Sequence, residues 1–156
     1  MRFLSNSFAI AVVLATGAGV AGASAAIAQQ APVYTGWLSK VAVGGYDPVA
    51  YFRQGKPVKG NARFAFSWQG AEYRFASAAN RDDFRADPGH YAPRYGGYCA
   101  WAVAHGYTAP GDPKAWTIVK DRLYLNYDAD VRRQWSKDIP RYIADANRNW
   151  PGVLGK

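Results

Sequence analysis

Sulfur is almost missing from this chain. Its 156 residues hold one cysteine, Cys99, and one methionine, Met1. A lone cysteine closes no intrachain disulfide, so packing must hold the fold together. The histidines number two, His90 and His105, a thin supply for a metal cage that wants several soft or imidazole donors. Acidic residues are also sparse, 11 against 19 Lys and Arg. The basic side chains are scattered, only Arg132 and Arg133 being adjacent. They form no stripe for nucleic acid, which is excluded as a partner, and read as a soluble basic surface weakly attracted to acidic lipid. No Gly-x-Ser-x-Gly, phosphate loop or His-Glu-x-x-His is present. Asp82 and Asp83 diverge on a helix, and Asp47, Asp87 and Asp112, each before proline, read as turn or cap residues. With no catalytic constellation, the chain is not read as an enzyme.

The N-terminus reads as an export signal. Arg2 supplies a positive charge, Phe8 to Val20 is apolar and uncharged, and Ala26-Ile27-Ala28 fits a small-x-small cleavage site. The apolar run is too short and too rich in Ala and Gly for an anchor. Residues 1–28 are therefore expected to be removed, leaving a soluble periplasmic protein with no transmembrane segment. Residues 29–40 read as a leader, loose from Gln29 to Thr35, 41–150 as one domain and 151–156 as a tail. No internal repeat is visible.

Aromatics are plentiful: after processing, six Trp, eleven Tyr and five Phe remain, enough to build a core without cross-links. Asp47 is placed to cap a short helix that Pro48 opens. Phe64, Phe66 and Trp68 alternate with Arg63, Ala65 and Ser67, and Tyr73 with Phe75 line a return strand, so Arg63 to Ala76 predicts a β-hairpin. Ser77 starts a helix with Phe84 inward, ended by Asp87-Pro88-Gly89. His90 to Arg94 reads as a link, and Ala100 to Ala104 as a buried helix after Gly96-Gly97. Ala115 to Tyr127 predicts a second hairpin with Leu123, Leu125 and Tyr127 on one face. Asp128 or Asp130 caps a helix through Trp135, and Asp138 restarts one with Pro140 in its first turn. The expected class is α+β: one compact domain with two antiparallel hairpins, several short helices and a C-terminal helical segment.

Four pieces in this order carry a resemblance: Gly44 to Phe52, the hairpin Trp68 to Ser77, the block Tyr95 to Ala104, and Leu123-Tyr124-Leu125-Asn126-Tyr127. From about Val41 to Trp150 the chain resembles the YHS domain family in its small, exported, stand-alone form. The resemblance implies a compact α+β domain, and a heavy-metal-binding role is often inferred for such domains from their cysteines and a histidine. Here Gln69 stands where that histidine would be expected, Ala76 where a cysteine would follow Tyr-x-Phe, and no cysteine precedes Asp47-Pro48.

Three functions follow. The first is a non-catalytic binding or accessory domain without a built-in cofactor, its partner a small ligand or an envelope protein. Tyr46, Tyr95, Tyr98, Trp101 and Trp116, with Tyr51, flank glycine-rich turns and are candidates to line a cleft, aided by Arg94 or Lys114. The second is a transition-metal-binding protein using Cys99 with His90 or His105. On one continuous helix Cys99 and His105 would lie about 120° apart, so that site needs the helix to end early. The third is a thiol-dependent enzyme, with Cys99 near a helix start and a histidine as base.

Overall fold

A carboxylate buried at the first helix start organises the first half of the fold. The computed structural model describes residues 29–156; the expected signal peptide, residues 1–28, lies outside the described residues. Asp47 accepts the N–H groups of Val49 (2.8 Å) and Ala50 (3.2 Å), capping α1, Pro48–Gln54, with Pro48 in the first turn. Its other oxygen accepts from the Ala76 N–H (2.8 Å) and the Asn80 amide (2.7 Å). Between these points β1, Asn61–Trp68, pairs antiparallel with β2, Ala71–Phe75. Helix α2, Ala78–Ala86, follows its Ser77 cap and buries Phe84 against Tyr73 and Phe75, ring centroids 4.7 and 5.1 Å away. The His90–Arg94 link contains part of a further helical turn, α3, Pro88–Tyr91: Asp87 caps it, and Pro88 lacks only an N–H that would go unused there.

The second half repeats the first. Helix α4, Ala100–Ala104, the hairpin β3, Asp112–Val119, with β4, Arg122–Asn126, and helix α5, Ala129–Trp135, follow in the same order. The preceding turns match residue for residue at a spacing of 52: Val43, Gly44 and Gly45 have φ of 53°, 57° and 78°, while Tyr95, Gly96 and Gly97 have 55°, 61° and 83°. The hairpin pairs match at a spacing of 51, Ala65–Arg74 with Trp116–Leu125 and Trp68–Ala71 with Val119–Arg122, each with a bulge at its open end. Asp47 N–H bonds Val58 O at 2.8 Å and Cys99 N–H bonds Ala109 O at 2.9 Å. Phe84 and Trp135, equivalent in α2 and α5, are both fully buried. This duplication corrects the expectation of no repeat: it lives in turn geometry and hydrogen bonding, with few identical residues beyond Gly-Gly-Tyr. Helix α6, Ile139–Asn149, starts at the position of α3, with Asp138 capping the Arg141 N–H as Asp87 caps that of His90, but it runs on past one turn and packs Ile139, Ile143 and Ala146 against the second half, as its pattern predicts.

Each half has its own core, and β4 serves both. Leu123 and Leu125 enter the first cluster, with Val49, Tyr51, Tyr73, Phe75 and Phe84. Tyr124 points the other way, into Tyr95, Val103, Trp135 and Ala146. In β2 the positions equivalent to the two leucines are Glu72 and Arg74, which pair at 2.7 Å on a part-exposed face. Tyr127, expected on the leucine face, is 53% exposed because β4 ends at Asn126. The class is α+β, with two separate two-stranded antiparallel sheets and C-terminal helices.

Neither the leader nor the tail is loose. Val33 is buried in the first core, the Tyr34 N–H bonds Gly96 O (2.9 Å), and the Tyr98 hydroxyl donates to Ala31 O (2.9 Å). Val153 and Leu154 are buried in the second core, and the Gln30 N–H bonds Leu154 O (2.8 Å). The leader finds backbone partners at Gly96 in the second half and at Leu154 in the tail, which a local reading of composition does not reveal.

A candidate site around Cys99

Because the halves repeat, Cys99 occupies the position of Asp47. It precedes α4 as Asp47 precedes α1, and it is 1% exposed. The N–H groups of Trp101, Ala102 and Tyr127 face its sulfur, as those of Val49, Ala50 and Ala76 meet the carboxylate. The thiol is a weak acceptor and makes no capping hydrogen bond. Burial pushes its pKa up, and those three N–H groups pull the other way without reversing it. The S–H faces Asn126 Oδ1 at 3.7 Å, and that oxygen also accepts from the Trp101 N–H at 3.2 Å. Asn126 is fully buried, and its Nδ2 has no partner among the described residues.

A cavity of about 250 Å³ is lined by Cys99, Trp101, Ala102, Tyr107, Ala109, Tyr127 and Val131. Tyr107 and Tyr127 are 47% and 53% exposed, so the aromatic rim is open to solvent. Val131 sits where the first half has Asn80, whose amide completes the Asp47 cap. Replacing that amide by a shorter, apolar side chain removes the fourth donor and leaves an apolar wall beside the sulfur.

The five cleft candidates do not line one cleft. Trp101 alone borders the Cys99 cavity. Tyr98 is packed under the leader and borders a different cavity of about 430 Å³, with Gln30, Tyr34 and Trp37. Tyr95 donates to Asn147 Oδ1 at 2.9 Å and stacks beside Tyr124 and Trp150. Tyr46 lies under the Lys59 ammonium, 4.1 Å from the ring centre. Trp116 packs on Tyr51 at 5.2 Å in the first core. Equivalent tyrosines after the two Gly-Gly turns face different surroundings, which separates them. Tyr107, Tyr127 and Val131 were missed; an alignment of the two halves would have drawn attention to the last two.

The metal candidates are likewise dispersed. His105 ends α4 with its Nδ1 2.7 Å from Trp101 O and its ring 3.9 Å from the Trp101 ring. His90 lies by Phe52 and Tyr91, 3.5 Å from Asp121. Among the described residues no three His, Cys, Asp or Glu side chains gather to hold an ion. The donors present do not fit a heavy-metal cage. No helix of the described residues is long and apolar enough to cross a membrane.

A duplicated α+β module with a thiol in the place of a capping carboxylate defines the class. Residues 49–95 match the family model of the YHS domain, so the resemblance holds over α1, the first hairpin and the start of the second turn. No curated protein and no solved structure matches the chain.

Proposed function

We propose that this chain is an exported, non-catalytic binding domain of the YHS type, taking a small flat apolar ligand over Cys99. The observation that carries this reading is the cavity of about 250 Å³ between Trp101, Tyr107 and Tyr127. Its size suits a fragment rather than a large cofactor. Aromatic walls favour stacking of a planar group, and the open rim lets it enter. Export to the periplasm follows from the signal reading of residues 1–28. The dispersed donors support a ligand other than a metal ion, and burial of the thiol without a paired base supports binding rather than catalysis.

The test is a screen of small aromatic compounds by NMR on the protein beginning at Gln29. Expected hits shift the Trp101 indole and the Tyr127 backbone amide, and Trp101→Ala weakens them at least tenfold. A screen in which no compound perturbs that rim overturns the reading. Native mass spectrometry with copper or zinc tests the metal alternative: one ion held by the wild type and lost in Cys99→Ser would put metal binding in place of the aromatic ligand.

A further inference from the structure

The two halves present one cradle in two states of completion. In the first, a carboxylate takes three backbone N–H groups and one side-chain amide. In the second, three equivalent N–H groups surround a sulfur that caps none of them. The buried Asn126 amide abuts that sulfur and leaves Nδ2 without an acceptor. The Trp101 N–H has Asn126 Oδ1 as acceptor, which leaves the Ala102 and Tyr127 N–H groups and Nδ2 with too few acceptor atoms. A side chain of one sulfur and two oxygens, anionic and branched like a carboxylate, would supply them. That group is a cysteine sulfinate, whose –CH₂–SO₂⁻ has the same connectivity as the aspartate –CH₂–CO₂⁻.

We propose that Cys99 is a peroxide-oxidation site whose resting product is the sulfinate, held as Asp47 is held. The Cys99 thiolate, a minor form because burial raises the thiol's pKa, attacks one oxygen of a small hydroperoxide. An S–O bond forms, the O–O bond breaks, and the departing oxygen leaves as an alcohol or water after taking a proton. Sulfur is oxidised to sulfenate and the peroxide is reduced. A second hydroperoxide repeats the step and gives the sulfinate. The cavity bounded by Tyr107, Tyr127 and Val131 provides the approach and the room for added oxygens. One new oxygen faces the Ala102 and Tyr127 N–H groups, and a flip of the Asn126 amide, whose Oδ1 lies 3.7 Å from the sulfur, turns Nδ2 onto the other. Oxidation needs no ligand in the cleft, so an empty fragment screen leaves it standing.

The experiment treats the mature protein with excess hydrogen peroxide. The Cys99 peptide is then read by mass spectrometry and the melting temperature by calorimetry. The expected product carries two added oxygen atoms, persists without moving to three, and melts roughly 3 °C or more above the reduced protein. Cys99→Asp is expected to melt at or above the reduced wild type, and Cys99→Ala below it. A cysteine that stays unreacted until the chain unfolds overturns the proposal. So does a three-oxygen product, or a two-oxygen form that melts lower. If Cys99→Asp fails to fold, the melting temperature of the oxidised wild type decides the matter.

Discussion

Removing the Asp47 carboxylate tests whether the first half hangs on one buried cap. The side chain is fully buried and makes four hydrogen bonds at 2.7 to 3.2 Å, joining α1, the end of β2 and α2. Loss of an N-cap alone costs about 1 kcal/mol. In Asp47→Ala the Ala76 N–H and the Asn80 amide also lose their acceptor, at roughly 1–3 kcal/mol for each donor left dry. Together these give about 4 kcal/mol, a fall of roughly 10–20 °C in melting temperature for a domain of this size. Asp47→Asn keeps one acceptor oxygen and turns an NH₂ toward donors, so it should lose roughly half as much. Urea unfolding, followed by tryptophan fluorescence and far-UV circular dichroism, measures both variants, with the slope checked for constancy. Asp83→Ala serves as control: its pair with Arg53 is exposed, and the midpoint should stay within error. A loss below about 1.5 kcal/mol in Asp47→Ala would refute the reasoning, because water would then be replacing the carboxylate at little cost.

Three other outcomes follow. Gly96→Ala would place a Cβ 1.9 Å from Pro32 O at a φ of +61°, so the leader should detach; limited proteolysis should then cut near residues 30–36 faster than in the wild type. Leu154→Ala should cost about 2–5 kcal/mol in urea unfolding, since that side chain is 3% exposed in the second core. Burial raises the pKa of Tyr51, Tyr73 and Tyr95 and of Cys99. These groups therefore ionise first in the unfolded chain, and the fold binds more protons than the unfolded state. Stability should hold at neutral pH and fall as pH climbs past about 8.5 for the thiol and about 10 for the phenols. Denaturant midpoints at stepped alkaline pH check this sign.

Local chemistry was legible wherever it was self-contained. Asp47 with Pro48, Ser77, and Asp138 with Pro140 each announce a helix start because the cap and the N–H groups it accepts lie within three residues. Both hairpins show in alternation and in their turns. What escaped depends on distance in the chain. Val33, Val153 and Leu154 are apolar islands in polar, glycine-rich ends, and only docking on residues far away in the chain gives them a core. The repeat escaped because its two copies share backbone geometry while their side chains differ, as where one half has a capping aspartate and the other a cysteine. The site escaped in part for the same reason. Cys99 and Trp101 are visible as chemistry, whereas Tyr127 and Val131 gain meaning only beside Ala76 and Asn80.

The unequal faces of β2 and β4 decide through which strand the two units meet. In the second unit that face carries Leu123 and Leu125 and is covered by the first unit. In the first unit the corresponding face carries the Glu72–Arg74 pair, which has no need of a cover. A further module stacked on that face would have to bury the Glu72–Arg74 pair. That face presents charge where a stacked module would demand hydrocarbon, so the two units meet through the leucines of β4 and not through β2.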